Sequence, residues 1–331
     1  MKKIVFGILA STNEHYSKFI EIWIENIKKF KSGTSSSLID FYFIYAEPHQ
    51  SEFSMSPEYD VCNPEQPIYY NYYSKYNEND SMMDSFVNRT VCLLDHLHKH
   101  PLVSTPFDYF LRTNLSTLFH LDILIQGIQK LPKYNLIAGS PIDKLNSIHT
   151  HISGTNILLS RDLADFLLLN KECLLDESIL HGDDQRISSL IIENLNVNLL
   201  LIKRLDFVEM KYDGDKYIPP SIIFQNCYDH NNLFCYRFKT TNRENDIKYM
   251  KMLQQHMYLE NFNPLQFVMS LVDNPDAPYK KTLTQNTDYD KLTHTIFQIK
   301  NNAYIMETYH HYKNVSFKYT PSICKTFHDS S

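Results

Sequence analysis

The chain has only 7 glycines in 331 residues, and no GxxxxGK motif ending in Ser or Thr and no GxGxxG. That excludes the glycine-rich loops that cradle nucleotide phosphates. Cysteine is sparse and unpatterned: Cys62, Cys92, Cys173, Cys227, Cys235 and Cys324 contain no CxxC pair. A structural zinc site has little support, and a reduced cytosolic chain is the expectation. No apolar run approaches the roughly 18 residues that span a bilayer. The run Ile4 to Ala10 mimics a signal peptide but is short, and no A-x-A site follows; a buried first strand is the better reading. The net charge of −6 provides no field to attract nucleic acid. Sequons at Asn88, Asn114 and Asn314 have no meaning in a chain that never enters a secretory compartment.

What is present is an ordinary globular balance, 43% hydrophobic and 21% charged. Tyrosine (23) and phenylalanine (20) are abundant, the bias of an AT-rich genome rather than a functional mark. Lys3 to Ala10 is a continuous apolar strand, and Phe19, Ile20, Trp23, Ile24, Ile27 and Phe30 follow at helical spacing. Ile39 to Tyr45 is a second strand, so the order predicts parallel strands with a right-handed crossover. Glu47 to Asp80 lacks a period and reads as a long loop with one short strand near Ile68 to Tyr72. Helices are expected over 81–100, 118–129, 162–170, 184–194, 246–258 and 264–272. Further strands are expected at 107–112, 136–140, 154–160 and 198–202. A boundary near 243 separates an α/β domain, 1–243, from a mainly helical C-terminal extension, 244–331.

Three segments carry candidate chemistry. Asp108 to Thr117, DYFLRTNLST, is an apolar strand ending in polar side chains. At the carboxyl edge of a parallel sheet, where ligands of open α/β sheets sit, these would face a ligand; alternatively, Asn114 and Ser116 or Thr117 cap a helix. Ser153 to Ala164, SGTNILLSRDLA, is a small-residue turn, an apolar run and a helix start. His181-Gly182-Asp183-Asp184 sets two carboxylates at a helix mouth, where the bland reading is capping. Later, Tyr236-Arg237-Phe238-Lys239 alternates, so Arg237 and Lys239 share one strand face, either toward a ligand or in solvent. His149, Thr150 and His151 read as an exposed edge or a donor contact.

In this order the three segments resemble the fringe- and β-1,3-galactosyltransferase-like glycosyltransferases of the GT-A type, and look similar to uncharacterised glycosyltransferases of large DNA viruses and bacteria. The resemblance covers roughly residues 3–240. It implies a three-layer α/β/α fold with a mostly parallel sheet. It further implies transfer of a sugar from a nucleoside-diphosphate sugar, a UDP-sugar first, to a glycan or glycoprotein hydroxyl, with inversion. Asp184, then Asp183, is the implied base. Ala10, Ser11 and Tyr45 fall on the edge that would bind base and ribose, Tyr45 either packing on the base or lying in the core. Gly154 falls where bulk would intrude on the sugar. The chain departs from the family at the metal motif: Asn114, Leu115 and Ser116 stand where the family has acidic residues. Three consequences are open. Mn²⁺ or Mg²⁺ is held through Asn114, Ser116 and a distant ligand such as His230 or Asp229. Alternatively, Arg112, Arg237 or Lys239 replaces the metal, or catalysis is lost. A non-catalytic glycan- or partner-binding module is the second reading, and a nucleotidyltransferase a weaker third. With no signal or anchor, the enzyme is expected to be soluble and cytoplasmic, in the host cytoplasm if viral.

Overall fold

The computed structural model describes residues 1–47, 54–60, 63–75, 82–99, 106–140, 152–175, 182–211, 217–225, 234–264, 266 and 267. Expectations at His149, Thr150, His151, Asp229, His230 and the chain beyond 267 lie outside these residues.

The first strand, β1 (Ile4–Leu9), is buried along its whole length, as an apolar run between two helical layers must be. It leads to α1 (Glu14–Lys31), started by the Asn13 side chain accepting from the His15 N–H and ended by Lys28, Lys29 and Lys31. Then come β2 (Ile39–Glu47), β3 (Ser54–Asp60), β4 (Asn63–Lys75), α2 (Met82–Lys99), β5 (Tyr109–Asn114), β6 (Thr117–Phe119) and α3 (Leu121–Ile128). After these follow β7 (Leu136–Gly139), β8 (Asn156–Ser160), α4 (Arg161–Leu169), α5 (Lys171–Leu174) and α6 (Asp183–Asn194). The last described elements are β9 (Asn198–Leu201), β10 (Arg204–Lys211), β11 (Tyr217–Gln225), β12 (Cys235–Lys239) and α7 (Arg243–His256).

Eight strands form one sheet in the order β3-β4-β2-β1-β5-β8-β7-β9. Four pairings are parallel and three antiparallel, so the sheet is mixed. Helices α1, α3 and α7 share one core with Phe6, Phe41 and Phe119. Residues of α2, α4 and α6 share the other core with Val5, Phe110 and Ile157. Two cores on opposite faces of one sheet make three layers. A second sheet, β11-β10-β12-β6, branches from the first. The Leu115–Ser116 turn passes the chain from β5 to β6. Trp23 Nε1 donates to the Leu115 carbonyl at 3.2 Å, and the Phe238 N–H to the Ser116 carbonyl at 2.8 Å.

Three expectations are corrected. Much of the expected loop 47–80 is the hairpin β3–β4, which joins β2 through stacked pairs Tyr42–Tyr70 at 4.8 Å and Tyr45–Tyr73 at 5.0 Å. The expected helix 118–129 begins later, because Leu118 and Phe119 pair with β12. Strands β10 and β11 were not anticipated. The helix expected at 246–258 runs from Arg243 and packs Tyr249, Met250 and Leu253 into the α1 core.

His120, after β6, is half-buried with Nδ1 enclosed and its ring 4.9 Å from that of Tyr258. Burial, opposed by Asp122 and a backbone contact at Met257, holds its pKa below the ordinary 6.5. Such a group stabilises the fold fully above its unfolded pKa. That contribution is lost as pH falls below about 6.5 toward the folded value. The urea midpoint should therefore fall on acidification below that pH, and His120→Gln should flatten part of the fall.

Candidate active site

Strand order reverses at β1: β2 and β4 lie on one side of it, β5 and the later strands on the other. Leu9 stands opposite Asn114 at the carboxyl ends of these two parallel strands. A crevice at such a reversal is where open α/β sheets take ligands. On the β1 side Ala10 is buried and Ser11 is half-buried. The Ala10 N–H donates to the Ile44 carbonyl at 2.9 Å. The Ala10 carbonyl accepts from Arg89 at 2.7 Å, and the same guanidinium nitrogen reaches the Ile44 carbonyl at 3.2 Å. Arg89 thus clamps the ends of β1 and β2. Sequence reasoning missed it, although an arginine between Phe86 and Thr90 on an apolar helix face was the available signal. Tyr45 is 8% exposed and stacked on Tyr73, so of its two alternatives the core one holds.

Asn114 and Ser116 are brought together, but on each other. The Asn114 side-chain oxygen accepts from the Ser116 and Thr117 hydroxyls, each at 3.0 Å. This is a turn built by its own polar side chains. Neutral oxygens are weak ligands for Mg²⁺ or Mn²⁺, and these are engaged. Among the described residues no group of three His, Cys, Asp or Glu could hold a metal. Among the described residues this turn therefore offers a divalent cation neutral oxygens alone; the expected distant ligands His230 and Asp229 lie outside them.

The acidic step at the start of α6 divides its two carboxylates. Asp183 is paired with Arg112, whose side chain is 3% exposed, and Arg112 also donates to the Gly154 carbonyl at 2.9 Å. Arg112 is therefore committed to Asp183 and Gly154, its Nε enclosed without a hydrogen-bond partner among the described residues, and is corrected from a phosphate contact to a buried strut with Asp183 its counter-charge. Asp184 is half-buried. One oxygen accepts from the Gly154 N–H at 3.0 Å and the other from the Gln185 N–H at 2.9 Å. Gly154 has a steric reason of its own: a Cβ there would lie 2.3 Å from an Arg112 nitrogen and 3.2 Å from the Asp184 Cβ.

Facing this step is the small sheet. Arg204 and Asp206 form a buried bidentate pair, one contact at 2.8 Å, and Arg204 also donates to the Thr155 hydroxyl at 2.7 Å. Arg237 is opposite Asp206 on one side and Thr117 on the other, 4.0 Å from an Asp206 oxygen. Its Nε is enclosed without a hydrogen-bond partner among the described residues. Burial lowers the Arg237 pKa; Asp206 and Asp184 oppose the shift and Arg204 adds to it. Lys239 lies on the same strand face, half-buried between Phe238 and Thr240, and its pKa is lowered by burial and then by Arg237 and Arg243. The network around Arg204 was missed because its link to Thr155 spans 49 residues; its pair with Asp206 is two residues away, and the alternation Arg204-Leu205-Asp206-Phe207 inside an apolar run was its one signal.

No protein-family model matches the chain, and no curated protein matches it. Fifty-six chains of solved structures do. One is described as a glycosyltransferase involved in the glycosylation of the major capsid of PBCV-1. It is 10% identical with a TM-score of 0.45, over 76% of this chain and 99% of that one. A likeness so remote assigns neither family nor activity. No helix among the described residues is long and apolar enough to cross a membrane.

Proposed function

We propose that this protein is a GT-A-type glycosyltransferase, moving a sugar with inversion from a nucleoside-diphosphate sugar to a glycan or glycoprotein hydroxyl. The reading takes its family from the order of the three sequence segments. One structural observation carries it: Asp184 presents a half-buried carboxylate, fixed by the Gly154 N–H, at the carboxyl edge of the sheet. In the proposed reaction the acceptor oxygen attacks the anomeric carbon and Asp184 takes its proton. The bond from that carbon to the diphosphate oxygen breaks, and the nucleoside diphosphate leaves with the bonding pair. Two fixed N–H donors leave each Asp184 oxygen a lone pair and restrict the carboxylate's orientation, which is the preorganisation a general base needs.

A second reading, a binding module without catalysis, is favoured by the neutral, self-bonded Asn114 turn. Thermal shift with UDP, GDP, CDP and dTDP and their sugars separates the two. We expect one diphosphate and its sugar to stabilise the fold by about 2.7 kcal/mol at a hundredfold excess over Kd, with UDP first, and slow hydrolysis of that sugar nucleotide. Binding without hydrolysis or transfer to any acceptor favours the module; no shift with any nucleotide removes the glycosyltransferase reading.

A further inference from the structure

We propose that Arg237 and Lys239 form a metal-free site for the diphosphate of the donor. The identity of the ligand rests on the glycosyltransferase reading; the site rests on the charges around it. Three ion pairs close on themselves: Arg112 with Asp183, Arg204 with Asp206 and Arg243 with Asp246 at 2.8 Å. Both Asp206 oxygens are taken by Arg204, so Asp206 at 4.0 Å only partly balances Arg237. Among the described residues the two cations Arg237 and Lys239 then remain, with Asp184 a further partial counter-charge to Arg237. They sit two residues apart on one strand, about 6.6 Å along it, with an arginine and a lysine reaching the same side.

Leaving two like charges half-buried and side by side is unfavourable. Solvated surface cations escape this cost by extending into water. Arg237 does so only in part, because its side chain is 20% exposed, its Nε is enclosed and its strand is flanked by β10 and β6. The Lys239 ammonium makes no hydrogen bond among the described residues. A polyanion removes the repulsion and supplies the missing acceptors at once, and charge-assisted contacts of arginine and lysine with phosphate are among the stronger hydrogen bonds. The turn at Asn114, where a metal would be expected, is neutral and satisfied. It borders Arg237 through the Thr117–Arg237 pairing. The cations therefore stand beside the place the metal motif has vacated.

The test is isothermal calorimetry on the full chain in EDTA, with inorganic pyrophosphate and the four nucleoside diphosphates as probes, against Lys239→Gln and Arg237→Gln. Circular dichroism confirms that each variant is folded; Lys239 is the less enclosed, so its variant serves if Arg237→Gln does not fold. We expect pyrophosphate and one nucleoside diphosphate to bind without metal. Lys239→Gln should weaken both by about tenfold or more and reduce the dependence of affinity on salt. Binding that requires Mn²⁺, or that is unchanged in the folded variants, overturns the site. The two proposals fail separately. If pyrophosphate binds through Lys239 but no nucleoside diphosphate binds, the cation site stands and the glycosyltransferase reading falls. If a nucleoside diphosphate binds only with Mn²⁺, the reading stands and the metal-free site falls.

Discussion

Asp184→Asn should lower kcat for sugar transfer by roughly 10²- to 10⁴-fold, the range for a lost general base, while nucleoside-diphosphate affinity holds or rises. Asparagine keeps the size of the side chain, and its carbonyl can still accept the Gly154 N–H that holds Asp184 at 3.0 Å. What it loses is the basic pair and the negative charge. That charge is one of those acting on Arg237, so removing it leaves the cations less compensated and more receptive to an anion. The measurement is steady-state kinetics on the donor and acceptor that the screen identifies, with calorimetry for the bound diphosphate. Transfer within about twofold of the wild type would eliminate Asp184 as the base, since no general-base role leaves so small a trace.

Arg112→Met should destabilise the protein by about 3–5 kcal/mol, because it strands the Asp183 carboxylate in a site built for an ion pair. The Asp183 side chain is 10% exposed and that of Arg112 is 3%, so water offers little relief to either survivor. Asp183→Leu alone should cost a similar amount. Combined, Arg112→Met and Asp183→Leu should recover much of the loss, since replacing both members of a buried pair with apolar groups is often near neutral. Urea unfolding of the singles and the double gives the coupling directly. The same experiment tests the corrected assignment of Arg112. An arginine that gripped a phosphate would lose donor binding on substitution and leave the unfolding midpoint almost unmoved.

The parts of the fold that sequence could reveal are those whose signal is local. Ile4 to Leu9 is apolar throughout because both faces are covered, and α6 begins at its acidic step as helix N-termini do. Of the hairpin β3–β4, the expected short strand near Ile68 to Tyr72 lies within β4; the rest escaped notice because its aromatics come in adjacent pairs, Tyr69-Tyr70 and Tyr72-Tyr73, which blur the period of two. Their order comes from pairing with Tyr42, Phe43 and Tyr45 on β2. β6 was misread because Leu118, Leu121 and Ile125 happen to keep helical spacing, while the strand is dictated by β12 more than a hundred residues later. At the site, Asp184, Arg237 and Lys239 could be singled out from their neighbours in sequence. The fate of Arg112 could not, because its partner lies 71 residues away.

The two sheets meet at a seam with little compliance. Asn156 is fully buried and donates from one amide nitrogen to the Ser140 hydroxyl at 2.9 Å and to the Cys235 sulfur at 3.5 Å. Beside it Arg204 reaches Thr155, and the Phe238 amide reaches Ser116. Of these links, Asn156–Cys235 and Arg204–Thr155 run between the large sheet, or the turn leading into β8, and the small one, and each leaves a polar group short of a partner in a dry interior if the sheets slide. The separation between Asp184 and the Arg237–Lys239 face is therefore fixed when the chain folds. A ligand arrives at charges already in position and spends little of its affinity on arranging them. The amides of β12 should exchange with deuterium nearly as slowly as those of β5, with or without ligand, because this seam gives way only when the large sheet does.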